Sequence, residues 1–205
     1  MRQKTEHKLR NEIAQRAARL VAMNDARDFL TAKCKAATQS GVCEKKFLPS
    51  NIEIEKALVD YQHLFHGDSQ HVHLLHLRHC AAESMHALRQ FNPRLVGSVL
   101  KGTASQHSEI TLHLFCDTPE DIGMHLINNG IPYVSCDHRI RSTQNKITSF
   151  PAYRFIAGQT RIVLIVFPGT QQHHAPLDPV DGKPMRRATE HEIRTLIKTM
   201  QTEFA

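Results

Sequence analysis

Residues 97–112 read Gly97-Ser98-Val99-Leu100-Lys101-Gly102-Thr103-Ala104-Ser105-Gln106-His107-Ser108-Glu109-Ile110-Thr111-Leu112. This run holds the residue types most suited to chemistry. It predicts a strand end, a Gly-Ser turn opening a short helix, and a second strand led by an acid. Side chains two apart on a strand share a face, so Glu109 and Thr111 point the same way and only Glu109 is ionised. One carboxylate together with substrate phosphates suffices for a single Mg²⁺, which keeps several waters and often takes only one or two protein ligands. Two-metal phosphoryl transfer needs several convergent carboxylates. The apolar run Arg161-Ile162-Val163-Leu164-Ile165-Val166-Phe167 contains none, and the spare acids Asp117 and Asp137 fall at predicted strand ends with nothing in the sequence to bring them to Glu109.

Histidines crowd a second stretch, at 63, 66, 71, 73, 76, 79 and 86. On a helix, His76 with Cys80 and His79 with Glu83 are spaced i,i+4 and share a face. No His-Glu-x-x-His or Cys-x-x-Cys spacing accompanies them, so surface or half-buried histidines are the expectation rather than a metal site. The same holds for His173-His174. Cysteines at 34, 43, 80, 116 and 136 are odd in number and unpaired in spacing, which suits reduced thiols. Cys34, Cys43 and Cys116 have no evident His or Asp partner and read as buried or inert.

The layout of Gly-Ser, ten residues, then an acid-led apolar strand resembles the signature of the nucleotidyltransferase superfamily, the polymerase β-like fold. The resemblance implies that the Gly-Ser backbone cradles a triphosphate and that acid-x-acid on the following strand holds Mg²⁺. On that basis Glu109 is the catalytic carboxylate and Mg²⁺ ligand, and Gly97, Ser98, Lys101, Gly102, Ser108 and Thr111 form the nucleotide-binding set. Thr111 stands where the family has its second acid. A longer string, Phe91 to Ala104 and then His107 to Phe115, resembles a group of short proteobacterial proteins, some labelled UDP-N-acetylmuramate–alanine ligase. That activity is excluded: no glycine-rich loop ends in Gly-Lys-Ser/Thr, and 205 residues leave no room for the three domains of such ligases.

The elements that must position these residues change character near residue 92. Before it, apolar spacing predicts helices at about 5–23, 26–39, 51–65 and 70–90. Pro49-Ser50-Asn51-Ile52-Glu53 supplies a Ser-x-x-Glu capping signal, and Asn92-Pro93 a breaker. After it come strands at 94–97, 109–115, 131–136, 152–156 and 161–167, the last continuously apolar and so central. A helix is expected at 119–129, a Pro-, Gly- and His-rich loop at 168–187 with a turn at Asp181-Gly182, and a closing helix at 189–203. The expected class is α+β: a nucleotidyltransferase-like mixed sheet with helices on one side, over 69–205, preceded by an all-helical basic extension, 1–68.

Charge is unevenly spread. Residues 1–50 hold 11 Lys and Arg against 5 Asp and Glu, and the other 155 residues hold 15 of each, so the formal excess of +6 lies in the first quarter. Arg10, Arg16, Arg19, Lys33 and Lys35 are therefore the candidate nucleic-acid contacts. The start of the chain is basic without the apolar run of a secretory signal, and no stretch nears the roughly 18 apolar residues of a membrane span. A cytoplasmic protein without membrane contact is expected. The function expected is a degenerate nucleotidyltransferase fold, a pseudoenzyme that binds nucleotide or RNA. An active Mg²⁺-dependent nucleotidyltransferase, and an interaction module whose basic helices dock an acidic protein, stay open as alternatives.

Overall fold

In the computed structural model the described residues are 2–26, 28–42, 44–141 and 147–203. The chain forms two compact units, Met1–His71 with Pro179–Asp181, and Val72–Asp178 with Gly182–Ala205. No helix is long and apolar enough to cross a membrane among the described residues.

The first unit is helical. Helix α1 (Arg2–Ala22) and helix α2 (Phe29–Gln39) meet through small side chains. Ile13 and Ala17 of α1 and Ala32, Ala36 and Ala37 of α2 are buried together with Ile54 of helix α3 (Asn51–Ala87). Asp28 caps α2 by accepting from Thr31 N at 2.7 Å. The expected capping box opens α3: Ser50 N donates to Glu53 Oε2 at 2.6 Å, and Glu53 N donates to Ser50 Oγ at 3.2 Å. Two separate helices were expected over 51–65 and 70–90, and one continuous helix is found. Gly67 lies inside it without ending it, because an interior glycine costs only about 1 kcal/mol and no proline follows.

The second unit takes the remainder of α3 and adds a five-stranded sheet. Strand β1 (Arg94–Val96) leads into the short helix α4 (Gly97–Lys101) and then strand β2 (Ile110–Phe115). Helix α5 (Pro119–Asn128) precedes strands β3 (Val134–Arg141), β4 (Ile147–Ala157) and β5 (Thr160–Phe167), and helix α6 (Glu190–Glu203) follows. The strand order is β1-β2-β5-β4-β3. β1 and β2 are adjacent and antiparallel, β2 and β5 parallel, and the other pairs antiparallel. The mixed sheet and the central place of the continuously apolar β5 are as expected from sequence.

The helices of this unit share one face of the sheet. Ile110, Leu112 and Leu114 of β2, with Ile162, Leu164 and Val166 of β5, pack against Leu77, Ala81 and Met85 of α3, Val99 and Leu100 of α4, Ile122 and Leu126 of α5, and Ile193 and Ile197 of α6. The opposite face carries a smaller apolar cluster of Phe115, Ile140, Phe150, Ala152, Val163, Ile165 and Phe167.

A five-residue helix is too short to hold itself. Arg78, buried on α3, supports α4: its Nε donates to Val99 O and its Nη2 to Leu100 O, both at 3.3 Å, and Nη1 reaches Met200 of α6. Burial, and then the charge of Arg186, pulls its pKa below the ordinary arginine value. Arg78→Met keeps the apolar stem and removes the donors. It should lower the unfolding free energy by about 3 kcal/mol, since buried carbonyls left unmatched cost about 1–3 kcal/mol each. Urea unfolding followed by circular dichroism measures this, and an unchanged midpoint would show that α4 is held without Arg78.

Candidate functional site

Cross-strand partners project from the same face of a sheet, so the register assembles the helix-free face row by row. One row runs Val96, Thr111, Val163, Arg154, Val134, and the next Arg94, His113, Ile165, Ala152, Cys136. Glu109 falls on this same face one step before Thr111, and Arg161 one step before Val163. His138 follows Cys136 on β3. The structure thus brings the sequence candidate Glu109 onto a face with Arg94, Arg154, Arg161, His113 and His138.

These groups act on one another. Burial lowers the His138 pKa below its ordinary value, Arg154 lowers it further, and Glu109 opposes the shift. His113 is buried, and its pKa falls well below the usual 6.5 through burial, then Arg187, then His138. Geometry gives the same answer, because Arg187 Nε donates to His113 Nδ1 at 3.1 Å. Arginine only donates, so Nδ1 must be an acceptor and the imidazole neutral. Arg187 itself stacks over the rings of Phe115 and Phe167, 5.0 and 4.9 Å from their centroids, and its Nη1 donates to Gln171 O and Gln172 O, both at 3.1 Å. Burial, and then Arg94, pulls its pKa down to about 10, so it stays charged at neutral pH.

The nucleotide-binding set divides. Gly97 follows β1 and opens α4 with φ +76°, and nothing lies within 4 Å of where a Cβ would be. Its left-handed backbone requires glycine whether or not a ligand approaches. Ser98 is half-buried, and its carbonyl accepts the N–H groups of Gly102 and Thr103. Gly102 closes α4 with φ +83°. Lys101 Nζ pairs at 2.9 Å with Asp178, a buried carboxylate. Ser108 Oγ accepts from Ser105 N at 2.8 Å in a local turn. Thr111 and Glu109 stand half-buried on the sheet face.

The spare acids stay away from Glu109. Asp117 lies beyond the other end of β2, accepting from Gly169 N at 2.9 Å. Asp137 alternates with His138 on β3 and so takes the opposite face. Val163 occupies the position beside Thr111 on β5. The side-chain oxygens at this position are those of Glu109 and Thr111, which do not fit a two-metal centre. Among the described residues no three His, Cys, Asp or Glu side chains gather to hold a metal.

The basic residues of the first unit are largely engaged within it. Arg10 pairs with Glu53 at 3.0 Å, Arg16 donates to Gln39 O and Ser40 Oγ, Lys33 to Pro49 O and Lys35 to Asp25 O. Arg19 is exposed. Cys34 is exposed rather than buried, because the packed stripe of α2 is Ala32, Ala36 and Ala37. Cys43 lies outside the described residues, as do the side chains of His63 and His66. His76 and Cys80 do meet across one turn, Nε2 to Sγ 3.6 Å.

The chain matches no known protein family, no curated protein and no solved structure.

His113 and His138 make stability depend on pH. Below about 6.5 the unfolded chain takes up protons at both positions while the folded chain resists, so stability falls as pH drops, by up to about 1.4 kcal/mol per pH unit for each group. His113→Asn keeps an acceptor for Arg187 and cannot titrate. Its unfolding free energy should fall less steeply between about pH 6.5 and 5 than that of the wild type. Identical slopes in parallel denaturant titrations would show that His113 protonates freely in the fold.

Proposed function

We propose that this chain binds a nucleotide by its phosphates on the helix-free sheet face around Glu109, Thr111, Arg154 and Arg161, and that it transfers nucleotidyl groups little or not at all. The reading keeps the nucleotidyltransferase-like layout of β1, the Gly-Ser turn, α4 and β2. One observation carries it: the parallel register of β2 with β5 puts Val163 beside Thr111, and the antiparallel register of β5 with β4 puts Arg154 beside Val163. Where metal-dependent transfer calls for converging carboxylates, this row offers an uncharged hydroxyl, a valine and a guanidinium. Arg154 and Arg161 are exposed and make no ion pair among the described residues. Guanidinium groups grip phosphate oxygens through two parallel hydrogen bonds, so they supply directly the charge compensation that Mg²⁺ otherwise provides.

An RNA or an acidic protein held by the first unit ranks behind this reading. Four of the five basic candidates there already bond to groups of that unit, and phosphate contacts would have to compete with those bonds. Titration of purified protein with ATP tests the proposal. Arg154→Glu with Arg161→Glu should weaken ATP at least about tenfold, a loss of about 1.4 kcal/mol, while chelating divalent ions changes the affinity less than about twofold. Labelled ATP should give no incorporation above background with Mg²⁺ or Mn²⁺. Absence of ATP binding overturns the reading, and incorporation abolished by Glu109→Ala would make the chain an active transferase.

A further inference from the structure

A cleft of about 420 Å³ opens elsewhere in the second unit, among the turn after α3, the start of β1 and the first turn of α6. Arg89, Arg94 and Arg194 line it together with one carboxylate, Glu190, so its fixed charge is +2 before His191 is counted. We propose that this cleft is a separate oxyanion site that takes a terminal phosphate group, either of a free phosphoanhydride or of an RNA 5′ end. It shares the sheet residue Arg94 but requires none of Glu109, Thr111, Arg154 and Arg161.

Arg94 is the preorganised element. Its Nη1 donates to Asn92 Oδ1 at 2.6 Å, to Pro93 O at 2.9 Å and to Asn92 O at 3.5 Å. These contacts clamp Asn92, whose φ of +50° is a left-handed conformation that a non-glycine residue adopts at a cost. The guanidinium is thereby fixed by one nitrogen, and its Nε and Nη2 make no hydrogen bond among the described residues. A fork held by one prong and open on the other binds a planar or tetrahedral oxyanion without first losing side-chain entropy. Arg89 is exposed and makes no ion pair among the described residues.

The end of α6 is not the recognising group. Thr189 N donates to Glu192 Oε2 at 2.7 Å, Thr189 Oγ1 donates to the same atom at 2.8 Å, and Glu192 N donates back to Thr189 Oγ1 at 3.3 Å. That capping box satisfies the helix start from within. The guanidinium groups are what remain for a ligand. Glu190 sets the terms of entry: its Oε1 accepts from Arg194 Nε at 2.8 Å and lies 3.5 Å from His86 Nδ1. An arriving phosphate competes with Glu190 for Arg194, so Glu190 acts as an internal anion that weakens binding.

Inorganic pyrophosphate, and an oligoribonucleotide with and without a 5′ phosphate, are the probes, titrated calorimetrically into the full chain. Pyrophosphate should bind the wild type. Arg89→Glu should weaken it at least about tenfold, and Glu190→Gln should tighten it at least about threefold by removing the nearer of the two carboxylates on Arg194, the other being Glu83 at 3.5 Å. Thermal unfolding of both variants should stay cooperative, so that neither change reflects misfolding. A preference for the 5′-phosphorylated over the 5′-hydroxyl RNA, with higher affinity than pyrophosphate, assigns the phosphate to RNA; the reverse order assigns it to a small molecule. The Arg154→Glu, Arg161→Glu double variant should keep the pyrophosphate binding that Arg89→Glu weakens. If that variant loses pyrophosphate, the sheet face accounts for the binding and this site is wrong. It is also wrong if the wild type binds neither probe, or if Arg89→Glu and Glu190→Gln leave the affinity unchanged.

Discussion

The second unit depends on the parallel pairing of β2 with β5. It joins residues 110–115 to residues 162–167, some fifty positions later, and both strands are buried almost throughout. Six matched positions fix how β2 and β5 share the rows of the sheet. A slip of β2 by one residue against β5 would turn Leu112 out of the helical core and His113 into it. The native register brings Val163 against Thr111, and the antiparallel pairing of β5 with β4 adds Arg154 to that row. The character of the sheet face, cationic and poor in carboxylate, is thus set by the same strand pairings that build the core.

Two arginines show how this unit tolerates interior cations without a carboxylate. Arg78 spends its donors on the end of a helix too short to stand alone, and Arg187 on two loop carbonyls, a neutral histidine and two aromatic faces. Carbonyl oxygens and ring quadrupoles are weaker partners than a carboxylate, each worth about 1 kcal/mol. Several of them together hold a charge that burial alone would expel. Arg187 holds Gln171 and Gln172 by their carbonyls beside the second apolar cluster, and its demand for an acceptor fixes the tautomer of His113. The one buried side-chain nitrogen without a partner among the described residues is Arg187 Nη2, which belongs to the guanidinium lying over Phe115 and Phe167.

In the first unit the basic charge has a structural use. Glu53 is the hub: it accepts from Ser50 at the start of α3 and from Arg10 of α1. Burial works against its ionisation, but the hydrogen bonds from Ser50 and the Arg10 charge outweigh it and hold its carboxyl below the ordinary range. Lys33 and Lys35 likewise reach backbone carbonyls outside their own helix. Alanine-rich helices bury little apolar area per residue, and polar staples of this kind supply what the small core does not.

Much of the fold was legible in the sequence, because its signals are local. The Ser50-x-x-Glu53 box, the Asn92-Pro93 break, the alternation after Glu109 and the unbroken apolar run at 162–167 each act within a few residues, and each marks its element. The gap expected between helices at 51–65 and 70–90 is instead helical: no proline interrupts it, and α3 runs through. Glu109 was identifiable as an acid at a strand start, and Thr111 as its partner on the same face. Arg154, Arg187, His113, His138 and the Arg89–Arg94–Arg194 cleft gave no such signal, since none stands in a recognisable spacing with the others. Lys101 looked like a ligand contact and is bound to Asp178 across 77 positions of chain. The sequence by itself determined the elements and one face of each, because periodicity and capping are properties of neighbouring residues. Strand order and register, and with them the neighbours of Glu109, were decided only when distant segments paired and packed.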